Sequence, residues 1–316
     1  MAKITSENAL TAFAAWLQEQ DRAGLTVRAY TTALAACAAW FEQRTGQPLT
    51  PAALTPLDVR TYRQHLTEQG CAPATVNKAL AALRAYARWG KATGQATHDP
   101  VNGVKPVQQV AAAPKWLSRP EQLRLLRQAQ AEVQQGEQRA GGDPHAPGGV
   151  WPRRDAALLG VLLNTGLRLA EVAALTVGDV TVGERAGHVV VRQGKGNKQR
   201  TVPLNQSARV ALKGWLQVYP GAIEAGAPLW VSQKGGALSA RAIGLQISGL
   251  AQRAGLQEVS PHTLRHTFAK NLVDSGVGLE KVATLLGHSQ LETTRRYVTP
   301  SQADLQAATE RVSWEE

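Results

Sequence analysis

The stretch from residue 97 to residue 114 constrains the fold most, because it interrupts helical patterns that run on both sides of it. Its prolines and the pair Asn102-Gly103 favour turns and extended backbone over helix. A chain of 316 residues also exceeds what one compact core usually holds. We therefore predict two domains, residues 1–96 and 115–316, joined by a linker at residues 97–114.

The N-terminal domain is predicted to be a four-helix unit. Ala, Leu, Trp and Tyr recur there at the spacing that lines one face of a helix. Serine and threonine stand at the expected helix starts, where their side chains cap free N–H groups, and glycines stand at the expected ends. The predicted helices are Ala9–Leu17, Val27–Phe41, Leu57–Leu66 and Val76–Trp89, with caps at Ser6, Thr26 and Thr55 and stops at Gly24, Gly46, Gly70 and Gly94.

The C-terminal domain is predicted to be mixed α/β, so that the whole chain is mainly α with a small β-sheet. It opens with a capping box, Ser118 followed by Glu121. Residues 136–152, rich in Gly and Pro, predict a surface loop. Short apolar runs predict strands and longer periodic segments predict helices. The strands are Val177–Val182, His188–Arg192 and Gln199–Leu204, and the helices are Asp155–Asn164, Leu169–Leu175, Arg209–Val218, Ala240–Ala254, Thr263–Asp274, Leu279–Leu286, Leu291–Tyr297 and Ser301–Val312.

Charge narrows the choice of partners. The formal net charge is +11, and the excess of Lys and Arg is present in both predicted domains. Such a distribution favours a polyanion held by both domains. Charge alone is equally compatible with an ordinary basic protein.

The expected location is the cytoplasm. No segment approaches the roughly 18 apolar residues of a membrane helix, and the N-terminus lacks the pattern of a signal peptide. Cys37 and Cys71 lie in helical patterns, where buried reduced thiols are favoured over one disulfide.

The segment Thr165–Glu171 places an arginine at a helix start. Gly166 ends one predicted helix, and Arg168 stands at the turn into the next. A positive charge is disfavoured at this end of the helix dipole unless an anion faces it. Arg168 therefore either meets an anionic ligand or pairs with Glu171 at the surface.

Residues 189–200 predict a β-hairpin with a glycine-rich tip. Lys195 stands at the tip, with Lys198 and Arg200 close by. Glycines let backbone approach a phosphate chain, and a tip lysine can reach into a groove; a solvated turn is the plainer alternative. The spacing is too short for a Walker A loop and lacks its Ser or Thr after the lysine, which argues against nucleotide binding.

The segment Ser260–His266 combines a helix start with two histidines. His262 and Arg265 share the first turn, where backbone N–H groups favour an anion. His262 and His266 are four residues apart, as zinc ligands often are, but the Glu of a zinc-protease motif and a third ligand are both missing. We therefore expect no metal here and interpret His266 as a packed structural histidine.

Tyr297 ends a polar, basic segment that follows His288. A lone tyrosine at a helix end is ordinarily a core residue. Here Arg295 and Arg296 directly precede it, unlike the apolar frame around a typical core tyrosine. We expect His288 to add a hydrogen bond to a bound phosphate.

Together these residues suit phosphoryl transfer through a protein nucleophile. Arg168 and Arg265 would clamp the non-bridging oxygens of a phosphate and neutralise the transition state. Tyr297 would attack phosphorus and hold it as a phosphotyrosine ester. Lys195 would protonate the departing 5′ oxygen, and His262 would assist Tyr297 as a general base.

In these segments the chain resembles the tyrosine recombinases, the phage integrase family, and among them the Xer type. The matching strings are TGLRLAEV, VRQGKGNKQRTVPL, HTLRHTFA and LLGHSQLETTRRYV, and the resemblance covers nearly the whole chain. It implies a SAM-like core-binding domain before the linker and a catalytic domain after it. The implied catalytic residues are Arg168, Lys195, His262, Arg265, His288 and the nucleophile Tyr297, supported by Glu171; we expect DNA contacts from Lys198, Arg200 and Arg296.

The resemblance also implies how such a protein acts. It would clamp double-stranded DNA at specific recombination sites and assemble as a tetramer on two of them. Strands would be exchanged through a 3′-phosphotyrosyl bond and a Holliday junction, without metal, ATP or other cofactor. The helix Ser301–Val312 would dock on a neighbouring protomer.

Within that family, the lack of an arm-binding domain before residue 6 favours an Xer-like role in chromosome or plasmid dimer resolution. An integrase of a mobile element is the alternative with the same chemistry. A type IB topoisomerase and a DNA-binding accessory protein without catalysis fit less well. The tetramer would be formed by this chain alone or together with a sister recombinase, and a DNA translocase would regulate the reaction.

Overall fold

The computed structural model describes residues 6–108, 114–143, 145–192, 199–288, 292–295, 297 and 309. The chain divides into two compact units, residues 1–112 and 113–316. Among the helices it describes, none is both long and apolar enough to cross a membrane.

In its described residues, the N-terminal unit is built from four helices around one apolar core. Phe13 is completely buried, and its ring meets Tyr86 edge-on at 5.5 Å between centroids. The Tyr86 hydroxyl donates to the carbonyl of Leu49, which satisfies the polar end of a buried side chain. The helices are α1 (Ser6–Glu19), α2 (Gly24–Thr45), α3 (Pro56–Glu68) and α4 (Pro73–Ala92).

Of the three helix caps predicted in this unit, the one at Thr55 is present and the one at Thr26 is not. Thr55 caps α3 as predicted: its hydroxyl accepts from the Asp58 N–H, and the Asp58 carboxylate accepts from the Thr55 N–H at 2.9 Å. The cap predicted at Thr26 is wrong, and so is the stop at Gly24. Helix α2 begins at Gly24 itself, behind Ala23, which has no side chain to cap it.

The C-terminal unit packs helices around a central one and around a small sheet. The central helix is α6, whose residues Leu158, Leu159 and Leu162 are completely buried; it packs against α5, α8, α9 and α10. The helices are α5 (Arg119–Arg139), α6 (Pro147–Thr165), α7 (Leu169–Ala173), α8 (Gln206–Leu216), α9 (Ala240–Arg253), α10 (Pro261–Asp274), α11 (Leu279–Leu286) and α12 (Glu292–Arg295).

The sheet has three antiparallel strands in sequence order, β1 (Val180–Val182), β2 (Gly187–Val191) and β3 (Arg200–Pro203). Val189 of β2 pairs with Val180 on one side and Val202 on the other. The predicted hairpin is therefore present. The first predicted strand starts too early, because a 3₁₀ turn capped by Thr176 and Asp179 occupies residues 177–179.

The surface loop predicted for residues 136–152 is wrong over most of its length. Helix α5 runs through Gly136 to Arg139, and α6 already begins at Pro147. Gly136 serves a close helix contact, since a Cβ there would lie 2.3 Å from the carbonyl oxygen of Gly148. Proline in the first turn of α6 is compatible with helix because no backbone N–H is needed there.

The Thr55 cap gives a local test of stability. Thr55→Val keeps the side-chain shape but removes the hydroxyl oxygen that accepts from Asp58, and we expect a loss of about 1 kcal/mol. Native-state hydrogen exchange of α3 would show it as reduced protection of that helix alone. Thr61→Val is the matched control, because the Thr61 hydroxyl bonds only to the Leu57 carbonyl within the helix. Equal protection in both variants would contradict the cap's role.

Candidate active site

The end of α6 sets the position of Arg168. Gly166 follows α6 in the left-handed conformation, with φ of 62°. A Cβ there would lie 2.4 Å from a ring carbon of Phe268, so only glycine fits. The chain then turns into α7 with Arg168 as its N-cap residue. The Arg168 N–H donates to the Glu171 carboxylate at 2.7 Å, and this anion offsets the unfavourable positive charge at the helix start.

Glu171 is a buried carboxylate shared by two arginines. Arg168 Nη1 donates to its Oε1 at 3.0 Å, and the two terminal nitrogens of Arg200 donate to its two oxygens, each at 2.8 Å. Burial by itself raises the pKa of Glu171, but the hydrogen bonds from Arg200 and Arg168 outweigh burial and leave the pKa below its usual value. The carboxylate is therefore ionised at neutral pH and orients both guanidinium groups.

Arg200 reaches this carboxylate from the first residue of β3. Its side chain is only 14% exposed. A Cβ on Gly287, whose φ is 64°, would lie 2.9 Å from its guanidinium carbon. Arg200 is thus enclosed beside Glu171, and its expected DNA contact remains a prediction. Lys195 and Lys198 of the same hairpin lie outside the described residues.

Arg265, on α10, is buried and held by the ends of two other helices. Its Nη1 donates to the Gly166 carbonyl at 2.6 Å and its Nη2 to the Leu286 carbonyl at 2.8 Å. Burial and the charge of Arg168 lower the pKa of Arg265 to about 10, against the opposing effects of Glu171 and Tyr297. The group remains a cation at neutral pH.

Arg168 contacts the same helix end as Arg265. Its Nη2 donates to the carbonyl of Gly287 at 3.0 Å, one residue beyond the Leu286 carbonyl that Arg265 uses. Carbonyl groups at a helix C-terminus carry partial negative charge and favour cations. Two arginines far apart in sequence are therefore brought together by the last carbonyls of α6 and α11. Such a pair can bind the oxygens of one phosphate.

The start of α10 presents His262. The Ser260 hydroxyl accepts from the Thr263 N–H, as the predicted cap requires, and Pro261 is the first helical residue. His262 in this first turn is exposed. His266, one turn later, is 6% exposed, and the two rings meet edge-on with centroids 4.1 Å apart.

Tyr297 is buried against the same helix. It is 2% exposed and packs with Ala269, Val282 and Leu286. Its hydroxyl and His266 Nδ1 are 2.5 Å apart, within hydrogen-bond distance. The interpretation of His266 as a packed histidine was therefore incomplete, since it also contacts the expected nucleophile. The one signal for it was its position four residues after His262.

His288 directly follows the helix end that holds Arg168. Its N–H donates to the Ala283 carbonyl at 3.0 Å, and its Nδ1 lies 2.8 Å from the Thr294 hydroxyl of α12. Its ring is thereby oriented by both α11 and α12. Arg296 lies outside the described residues. Across the part of the chain that the structure describes, no three His, Cys, Asp or Glu side chains converge as metal ligands would.

Each of the two units matches a known protein family. The phage integrase family model matches residues 148–304, and the model of the phage integrase N-terminal SAM-like domain matches residues 10–94. These two spans include most of the described helices of both units.

Individual proteins are similar over most of their length. Tyrosine recombinase XerC of Pseudomonas fluorescens (strain Pf-5) is 33% identical over 246 residues, 77% of this chain and 76% of that one. Tyrosine recombinase XerD of Rhizobium meliloti (strain 1021) is 32% identical over 284 residues, 88% and 86% of the two chains. Among solved structures, the Tn1549 transposon integrase in complex with a circular intermediate DNA shares the fold, with a TM-score of 0.69 at 17% identity over 96% of this chain and 99% of that one.

The Glu171 carboxylate predicts a pH-dependent stability. Because its pKa is lowered in the folded chain, its contribution is complete above the unfolded value of about 4.3 and is lost as pH falls through the folded value. Glu171→Gln leaves two guanidinium groups without their anion, and we expect a loss of about 3 kcal/mol at pH 7.

Urea unfolding of both chains between pH 7 and pH 3.5 measures this difference, which should shrink as pH falls. Glu184→Gln, at an exposed glutamate of the same unit, is the matched control and should unfold like the wild type at every pH. A Glu171→Gln deficit that stays constant across this range would contradict the assignment.

Proposed function

The chain belongs to the phage integrase family of tyrosine recombinases, enzymes that cleave and rejoin DNA, and we propose that it is a site-specific recombinase that joins DNA covalently to Tyr297. The observation that carries this proposal is that Arg265 and Tyr297 both contact Leu286, at the C-terminal end of α11. The Leu286 carbonyl accepts a hydrogen bond from Arg265, and the Leu286 side chain belongs to the apolar cluster that contains Tyr297. A phosphate bound by the arginines would lie beside the tyrosine.

Charge neutralisation is the role proposed for the two arginines. The bond transferred in DNA cleavage passes through a phosphorus centre with extra negative charge on its non-bridging oxygens. Arg168 and Arg265 are held by backbone carbonyls and by Glu171, so their charge is oriented before DNA arrives. Preorganised charge of this kind stabilises a transition state without reorganisation during the reaction.

Nucleophilic attack by Tyr297 is the covalent step. The tyrosine oxygen forms a bond to phosphorus while the bond from phosphorus to the 5′ oxygen breaks, which leaves a 3′-phosphotyrosyl ester. Lys195 protonates the departing 5′ oxygen, His288 binds the phosphate, and a histidine of α10, for which the sequence suggests His262, accepts the tyrosine proton. The ester retains the energy of the original linkage, so a new 5′ hydroxyl can displace the tyrosine and reseal the strand.

Site-specific recombination requires contacts beyond the reacting phosphate. The N-terminal four-helix unit, which matches the SAM-like domain family, is proposed to bind the DNA core site. The net charge of the chain is +11, and both units contribute to it, which supports binding of each unit to the phosphate backbone. Lys198, Arg200 and Arg296 are proposed as further DNA contacts.

The proposed biological role is Xer-like resolution of chromosome or plasmid dimers. XerC and XerD relatives that align with 77% and 88% of this chain support that role over integration of a mobile element. Four protomers would act on two sites, through a Holliday junction and with exchange of the segment 301–312. The reaction would need neither metal nor ATP, because arginines supply the positive charge.

The covalent step is tested with a nicked suicide substrate. The recombination site is first identified by mapping where the protein binds in its own genome. On this site the wild type should accumulate a DNA-linked species that resists denaturation, and Tyr297→Phe should form none while it binds the site with similar affinity. If the wild type forms no adduct on a bound site, the chain is a DNA-binding protein without catalysis.

The arginine clamp is tested by a substitution that retains charge. Arg265→Lys loses one of two directed donors, and we expect cleavage to slow about 10²- to 10³-fold with DNA affinity changed less than threefold. Arg192→Lys, at an exposed arginine that pairs with Asp179, is the matched control and should cleave at the wild-type rate. Equal cleavage by the two variants would remove Arg265 from the chemistry.

Recombination is separated from topoisomerase activity by two assays in parallel. The wild type should recombine a plasmid with two copies of the site and leave plasmids without a site supercoiled. Relaxation of plasmids that lack the site would contradict the proposal and favour a type IB topoisomerase.

A further inference from the structure

The hydroxyl of Tyr297 has a specific hydrogen-bond partner inside the protein. His266 Nδ1 lies 2.5 Å from it, a short distance for a hydrogen bond between a ring nitrogen and a hydroxyl. The two rings are inclined by 55° with centroids 5.4 Å apart, so the contact is made by the polar atoms at their edges. The Tyr297 hydroxyl is the atom that attacks phosphorus under the proposed function.

The ring of His266 is fixed where it makes this contact. The side chain is buried, and the His262 ring covers one side of it at 4.1 Å between centroids. Both histidines lie on α10, which also carries Arg265. A helix that positions the phosphate-binding arginine therefore also positions the nitrogen at the nucleophile.

Tyr297 and the buried Arg265 lie close enough for their charges to interact. The charges of Tyr297 and Arg265 influence each other, since a tyrosinate would raise the pKa of that guanidinium. A buried cation stabilises a nearby oxyanion more than water-screened charge does. A negative oxygen left on Tyr297 by removal of its proton would therefore be stabilised by the charge of Arg265.

Among the described residues, the ionisable side chains whose rings contact His266 are His262 and Tyr297. His262 lies on the preceding turn of α10 and Tyr297 lies opposite. On α11, the ionisable residues Glu280 and Lys281 are solvent-exposed. The charges that act on Arg265, the next residue of α10, are those of Arg168, Glu171, Arg200 and Tyr297.

We propose that His266 is a catalytic residue that accepts the proton of Tyr297 when the tyrosine attacks DNA. This inference rests on the proposed function. A neutral imidazole with its proton on Nε2 has a lone pair on Nδ1 that accepts from the phenol. As the bond from the tyrosine oxygen to phosphorus forms, the proton moves to Nδ1, the electron pair stays on oxygen, and the 5′ oxygen leaves with the proton from Lys195.

The assignment divides the work between the two histidines. His262, for which the sequence suggested the role of general base, is exposed and would instead contact the DNA phosphate, whereas buried His266 serves the nucleophile. Religation reverses the transfer, since His266 returns its proton to the tyrosine oxygen as the ester is displaced. An imidazole suits both directions because it ordinarily titrates near neutral pH.

The experiment is single-turnover cleavage of the suicide substrate by His266→Asn, His266→Phe and His262→Asn. An asparagine oxygen can accept the hydrogen bond near the place of Nδ1 but cannot take up the proton. We expect both His266 variants to cleave 10²- to 10⁴-fold more slowly at pH 7. The His266→Asn rate should rise about tenfold per pH unit as the phenol ionises unaided, whereas the wild-type rate levels off.

A substrate with sulfur in place of the bridging 5′ oxygen separates the two proton transfers. Its leaving group needs no protonation, so a defect in the general acid is corrected and a defect in the base persists. We expect His266→Asn to stay slow on it. His145→Asn, at an exposed histidine of the same unit, is the control and should match the wild type on both substrates. Thermal unfolding and site binding establish that each variant is folded.

Three results would overturn the assignment. Wild-type cleavage by His266→Asn alongside a slow His266→Phe means that the histidine only orients the tyrosine. Correction of His266→Asn by the sulfur substrate means that it serves the leaving group. A pH-dependent defect found in His262→Asn alone moves the base to that residue. Absence of any adduct with the wild type is a separate result, which refutes the proposed function itself.

Discussion

The C-terminal unit depends on one buried carboxylate. Glu171 accepts hydrogen bonds from two guanidinium groups and from the N–H of Arg168, the N-cap residue of its own helix. Its partners are Arg168, the N-cap residue of α7, and Arg200 on β3, so the anion joins a helix start to a strand. Without it two cations would face each other in a poorly solvated space, at a cost of several kcal/mol. The charge of Arg168, which is proposed to bind the phosphate, is thus balanced by Glu171 before any ligand binds.

Capping rules, which relate residues three positions apart, correctly predicted helix starts where both capping residues lie close together in the sequence. Ser118 and Thr55 start helices because the acidic residue that completes each capping box stands three residues later. Rules for glycine and proline misassigned Gly24 and residues 136–152, where these residues occur inside or at the start of helices. Gly136 is present because two helices approach each other there. Such a reason depends on the tertiary structure and leaves no mark in the adjacent sequence.

For the candidate site, the sequence predicted the residues but not the contacts between them. Arg168, Arg265 and His288 were identified by helix ends and by resemblance, and the structure brings them to the ends of α6 and α11. The Arg200 bond to Glu171 was not foreseen, because the hairpin sequence suggested a group reaching outward to DNA. The contact between His266 and Tyr297 spans 31 positions. Nothing near either residue indicates it, since only the packing of α10 against the segment after α11 brings the two together.

The helix ends that hold the arginines have a consequence for natural variation. The acceptors for Arg168 and Arg265 are carbonyls of Gly166, Leu286 and Gly287. Every amino acid carries a carbonyl, so no codon change at these three positions can delete an acceptor. A substitution can instead displace the carbonyl oxygen. It would do so by adding a Cβ at a glycine with positive φ, or by changing the size of the Leu286 side chain, which packs in the apolar cluster. Inherited loss of activity at these positions would therefore track side-chain size, and would be indifferent to side-chain polarity.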